Sequence, residues 1–162
     1  MKRRYNAFVF PVLTYNCGTW GLTKAALKKV SAFHRKQLRV LAGVRWPHRI
    51  SNKALYDKLE VEPLEAFVQR ARVKLFGHVL RMEAEAPAQR AMDFYMTEGR
   101  RRRGHPRCCL PVILKDDMEG VGLQFAGPKD LDRLRGLAAD RRVWQDLVHL
   151  IEPHPQRRAS DR

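Results

Sequence analysis

Negative charge is what this sequence has least of for its size. Seventeen Asp and Glu face 32 Lys and Arg, a formal net charge of +15 on 162 residues. Solubility does not require an imbalance of that size. Such a field attracts polyanions, and nucleic acid is the default partner. Cysteine is also scarce: three residues, an odd number without framework spacing. That excludes a disulfide-stapled secreted scaffold and points to a reducing compartment inside the cell, nucleus or cytoplasm. Long hydrophobic runs are missing too. The apolar run near the start, residues 7–12, is too short to span a bilayer, so no membrane association is expected. Met1-Lys2-Arg3-Arg4 before that run imitates a signal peptide. Pro11 interrupts the run, however, and polar Thr14, Tyr15 and Asn16 follow at once.

Catalytic signatures are absent as well. Asp116 and Asp117 are adjacent on an expected helix, so their side chains diverge by about 100°, and no histidine lies near them in sequence. They make a poor two-metal site. There is no glycine-rich phosphate loop followed by Lys and Ser or Thr, and no Ser/His/Asp signature. The expectation is a protein that is not an enzyme and uses no cofactor.

What is present is helical periodicity. Hydrophobic residues make up 44%, enough for a real core. In residues 22–44, Leu27, Val30, Phe33, Leu38, Leu41 and Val44 fall on one side at helical spacing. Lys24, Lys28, Arg35, Lys36 and Arg39 fall on the other, with no acidic residue between Leu22 and Val44. A face built only for solubility would mix both signs, so this one suits phosphate tracking as well as solvation. Thr23 is the expected N-cap and Gly43 the end. A short helix follows over 53–59, capped by Ser51 or Asn52. Another begins after Pro63 and carries Leu64, Phe67, Val68, Ala71, Leu75, Val79 and Met82 on one face. Its Gly77 costs about 1 kcal/mol against alanine and is tolerable if another backbone packs close there. His78 falls toward the apolar side, as a core histidine would. Further helices are expected over 88–97, over 111–119, and from Asp130 to Val148 with Gly136 as its weak point. Residues 5–20, aromatic and β-branched around Pro11, read as a strand candidate.

The expected fold is therefore mainly α: an irregular bundle of about six helices over residues 1–150, with a basic loop and a disordered, Pro-rich, basic tail over 151–162. The loop is "GRRRRGHPRCCLP", residues 99–111. Arg100, Arg101, Arg102, Arg103 and Arg107 can grip phosphate oxygens bidentately. The same arginines fit a nuclear address. A zinc site is disfavoured, because adjacent Cys108 and Cys109 suit one tetrahedral ion poorly. His105 lies at usable spacing, but the fourth ligand would have to come from His78 or Cys17.

Five stretches together resemble the segment after the catalytic core in non-LTR (LINE-like) retrotransposon reverse transcriptases. The likeness covers residues 12–148. "LTYNCGTW" (13–20) is similar to that family's Leu-x-Tyr-Gly-x-Glu-x-Trp block, with Tyr15 and Trp20 in place. "QLRVLAGV" with "HRISNKAL" resembles the next block through Leu38, Arg39, Gly43, Arg49, Ile50 and Asn52. "FGHVLRM" (76–82), "GRRRRGHP" (99–106) and "ADRRVW" (139–144) resemble the three that follow. Asn16, Gly18, Leu75, His105 and Leu110 depart from the family pattern. Leu75 and Leu110 stand where tryptophan is common. The resemblance implies a polymerase thumb with its linker, a helical unit that grips the RNA template–DNA primer duplex. It also implies that the magnesium-binding acids lie upstream in the palm, so that this chain alone does not polymerise.

The leading expectation is thus a sequence-nonspecific binder of RNA, DNA or their hybrid. Its contacts would run through Lys24, Lys28, Arg35, Lys36 and Arg39, and through Arg100 to Arg103 with Arg107. The alternatives are a non-functional retroelement relic, and a helical protein-interaction domain docking through Trp20 and Trp144. Oligomeric state is left open.

Overall fold

The computed structural model describes residues 2–94, 110–119, 122–123 and 128–151. Among them the chain is mainly helical, with no strand. Residues 2–13 are helical throughout: α1 (Lys2–Arg4), a π-helical stretch (Tyr5–Val9) and α2 (Phe10–Leu13). Then come α3 (Lys24–Leu41), α4 (Asn52–Leu59), α5 (Leu64–Leu80), α6 (Pro87–Asp93), α7 (Leu110–Glu119), α8 (Pro128–Ala139) and α9 (Arg141–His149). Counting residues 2–13 as one segment gives eight described helical segments besides one short 3-10 turn (Cys17–Thr19), against about six expected.

Two of the differences have clear physical causes. The strand candidate around Pro11 is helix. Pro11 opens α2 directly after a π turn in which the Phe10 amide bonds back to Tyr5 O, so the helical run changes hydrogen-bond register at the proline instead of ending there. The last expected helix is two, and the break falls at Asp140 rather than Gly136. Asp140 is extended and its carboxylate accepts from the amides of Arg142 (2.8 Å) and Val143 (3.4 Å), an N-cap that starts α9. Gly136 lies inside α8 with open space around it.

The chain divides into two compact units. In unit 1, described over residues 2–17 and 23–68, Tyr5, Leu38, Leu55 and Tyr56 form the buried centre. Phe10 packs edge-on against Phe67 at 4.9 Å and lies tilted against the His34 ring at 5.4 Å. His34 is 1% exposed, and its Nδ1 lies 2.7 Å from the Tyr5 hydroxyl. Burial lowers the His34 pKa to about 4. The Glu65 charge pulls against that shift, and the Arg35 charge adds to it.

Unit 2, residues 18–22 and 69–151, has the larger core. Phe76, Val73, Leu80, Leu114, Met118, Leu134 and Trp144 are among its buried side chains. The Trp144 indole donates to Val73 O (3.1 Å) and lies edge-on to Phe76, directly over Gly77. That placement explains the glycine: a Cβ there would overlap the indole ring. The neighbour is therefore a side chain and not a second backbone. A Cβ on Gly18 would come 2.9 Å from Ala71 O, so this position too is small because α5 passes close by. Arg72, buried, grips Asp117 with two hydrogen bonds of 2.6 and 2.9 Å. Burial raises the Asp117 carboxyl above its ordinary value, and the guanidinium works against that rise. Arg81 donates to Ala138 O (3.0 Å) near the C-terminus of α8, where a cation is favoured.

Candidate nucleic-acid interface

α3 forms for reasons the sequence states. Thr23 is extended and its hydroxyl accepts from the Ala26 amide at 3.1 Å. At the other end Gly43 takes φ +67°, Gly43 N donates to Val40 O (3.1 Å) and Val44 N donates to Arg39 O (3.0 Å). These two bonds are a complete Schellman ending. Between the caps, Ser31, His34 and Leu38 turn inward, with Leu27, Val30 and Leu41 half-buried beside them. Phe33 is exposed, so the buried stripe is rotated away from where hydrophobicity alone put it. It is instead centred on a serine and a histidine, residues that a hydrophobic pattern does not weight.

That rotation sorts the five candidate cations of the helix. Lys24, Lys28 and Lys36 are exposed, and Lys29 joins them. They share one side, and Lys24 to Lys36 spans about 18 Å along the axis. Arg35 and Arg39 sit at the margin instead. The Arg35 side chain is 14% exposed and pairs with Glu65 at 3.3 Å. Arg39 donates to Asn52 Oδ1 (2.6 Å) and to Arg35 O (3.5 Å), tying α3 to the start of α4. The Ser51 hydroxyl caps α4 by accepting from the Ala54 amide at 3.1 Å. The structure therefore brings three of the five together on an outward face and engages the other two in internal bonds. Arg100, Arg101, Arg102, Arg103 and Arg107 lie outside the described residues, as do His105, Cys108, Cys109 and the tail over 152–162.

The charge is also unevenly distributed along the chain. Residues 1–56 hold 12 of the 32 Lys and Arg and none of the 17 Asp and Glu; the first acid is Asp57. Most of the +15 is thus lodged in the part of the chain that builds unit 1 up to α4. Sequence reasoning centred on α3 missed six exposed members of this field: Arg3, Arg4, Lys29 and Lys53, and Arg45 and Arg49 in the loop after α3. The signal that finds them is the missing acid over the whole of 1–56, not the periodicity of one helix. It also missed Trp46, which is 85% exposed between those two arginines.

Other candidate residues resolve differently. His78 is exposed, not a core residue; the buried histidine is His34. Asp116 is exposed while Asp117 faces Arg72, so this acidic pair does not converge. Among the described residues no three His, Cys, Asp or Glu side chains gather as a metal site would require. Trp144 is 3% exposed and Trp20 half-buried, so neither offers a prominent docking face. No described helix is long and apolar enough to cross a membrane. Compared with protein-family models, with curated proteins and with solved structures, the chain matches none.

Proposed function

We propose that the chain binds nucleic acid through unit 1 without sequence choice, and has no polymerase activity of its own. In the terms of the resemblance it is a thumb-like fragment for an RNA template–DNA primer duplex. The observation that carries the reading is the stretch 1–56, with 12 cations and no acid. Exposed Lys24, Lys28, Lys29 and Lys36 lie together on one side of α3. Contacts of this kind release counterions from the phosphate backbone and give affinity without base readout. The arginines of 100–103 and Arg107 would add to the same grip.

The test is binding of a short RNA–DNA hybrid across a salt series, with RNA and DNA duplexes alongside. With five phosphate contacts, log K falls against log salt with a slope of about −4. Replacing Lys24, Lys28 and Lys36 together by alanine makes that slope shallower by about 2 to 3. A salt-independent response refutes the reading.

One observation favours a second reading. Phe8, Val12 and Tyr15 are exposed at i, i+4 and i+7 on and just after the first helical segment. Such a stripe suits packing against another protein surface. In the resemblance that surface is the polymerase palm. If titration with a separately expressed catalytic core gives no binding, this second reading fails.

A further inference from the structure

We propose that the loop between α3 and α4 is a stacking site for an unpaired nucleotide, with Trp46 under the base and Arg49 on the adjoining phosphate. The proposal rests on the nucleic-acid reading above and narrows it from charge to a ligand. Its geometry is a cleft of about 320 Å³ lined by Arg39, Val44, Trp46, His48, Arg49 and Ile50. That volume lies at the small end of the ~300–1,000 Å³ usual for ligand sites.

Three features specify the occupant. First, the walls are cationic, aromatic or aliphatic, with no acid in the lining and none anywhere earlier in the chain than Asp57. An anion with a flat apolar face matches that chemistry; a cation or an acidic metal-binding group does not. Second, Trp46 is 85% exposed, although tryptophan is highly buried on average. Its hydrophobic ring has no cover among the described residues, and it stands between two arginines, Arg45 and Arg49, that form no ion pair among them. Third, the loop is held at both ends. The Schellman bonds of Gly43 and Val44 fix its start, and the Arg39–Asn52 bond and the Ser51 cap fix its end. A turn closed by His48 N donating to Arg45 O (2.9 Å) lies between them. Ile50 packs against the unit 1 core. The indole is thus presented on an anchored loop, which limits the ordering cost of binding.

An unpaired base is required because bases inside a duplex already stack on each other and offer no free face. Aromatic stacking of this sort tolerates any base and combines with a cationic track for the backbone. The site would therefore hold the single-stranded part of a bound nucleic acid, while the α3 lysines serve single strands and duplexes alike.

The experiment uses the full chain and fluorescence anisotropy at one fixed salt concentration. The probes are a single-stranded oligo(U), a single-stranded oligo(dT), an abasic strand of equal length, and a blunt RNA–DNA hybrid. Wild type, Trp46→Ala and Trp46→Phe are compared, with circular dichroism to confirm that each folds. The expected result is that Trp46→Ala weakens both single strands about tenfold, leaves the abasic strand and the hybrid within twofold, and that Trp46→Phe recovers most of the loss. Equal affinity of wild type and Trp46→Ala for the single strands overturns the stacking site while leaving the salt-dependent hybrid binding intact. Loss on all four probes alike also overturns it, because the tryptophan would then act on the general grip. If wild type binds none of the probes, the nucleic-acid reading itself fails. The oligo(U) and oligo(dT) arms separate RNA from DNA as the source of the nucleotide.

Discussion

Acidification should destabilise unit 1 through one side chain, His34. The ring is 1% exposed, packed between Phe10 and the Tyr5 hydroxyl, and its pKa stands at about 4 against the ordinary 6.5. A base whose folded pKa is depressed binds fewer protons folded than unfolded, so stability rises with pH across that window. The contribution is complete above about pH 6.5 and is lost as the pH falls toward 4. A gap of about 2.5 pKa units corresponds to about 3 kcal/mol in full, of which about 2 kcal/mol is gone by pH 5. That is a large share of the stability of an ordinary small fold. The assay is urea unfolding at pH 7.5, 6 and 5 at constant ionic strength, on wild type and on His34→Asn. Asparagine keeps an acceptor near the Tyr5 hydroxyl but cannot titrate. The variant will be less stable at every pH, so the slope is the readout. Wild type should lose about 2 kcal/mol between pH 7.5 and 5, and the variant much less. In an NMR titration, one imidazole should stay neutral at pH 5. Parallel losses in the two proteins would refute the argument.

Three further outcomes follow from packing. Gly77→Ala pushes a methyl into the Trp144 indole and should cost 1 to 3 kcal/mol, roughly, in thermal or urea unfolding. Helix propensity alone would give a gain of about 1 kcal/mol, so a stabilised variant contradicts the placement of the ring. Asp117→Ala leaves the buried Arg72 guanidinium without its partner and should cost about 3 to 5 kcal/mol. The double change Arg72→Met with Asp117→Leu should recover most of that loss, and failure to recover would mean the pair does more than neutralise itself. Glu60 ends α4 at φ +48°, a left-handed conformation that costs a non-glycine residue about 1 kcal/mol. Glu60→Gly should therefore raise the melting temperature by a few degrees, despite losing the exposed pair with Lys2 (3.2 Å), which is worth little.

Legibility in the sequence followed locality. Caps were readable: Thr23, Ser51 and Gly43 each do what their residue type favours at a helix end. So was the helical class, because α3 and α5 are long enough for periodicity to speak. Rotation of a helix about its own axis was not readable, since it depends on which residues a neighbour accepts. Ser31 and His34 lie at the centre of the buried face of α3, and Phe33 is displaced to the outside. The same shift moved Arg35 and Arg39 from the outer face to the margin. Arg72 and Asp117 stand 45 residues apart, so their pairing leaves no local trace. Pro11 misled for a different reason. Its penalty applies to the interior of a regular α-helix, and here a π turn changes the hydrogen-bond register just before it.

The two units differ in ways that bear on the binding proposal. Unit 2 gathers thirteen buried residues in one cluster, whereas the unit 1 cluster has four. Unit 1 also buries polar atoms that find no partner among the described residues: Ser31 Oγ, His34 Nε2 and Glu65 Oε2. Each such atom costs about 1 to 3 kcal/mol. To this is added the mutual repulsion of 12 cations with no acid before Asp57. A unit with a small core, incompletely satisfied polar groups and unbalanced charge violates several stability rules at once, and such violations concentrate where function is carried. Polyanion binding would relieve the repulsion and stabilise unit 1 by mass action. On the binding proposal, stabilisation by a short hybrid should therefore appear first in amide exchange of α3 and α4, not of α8 and α9.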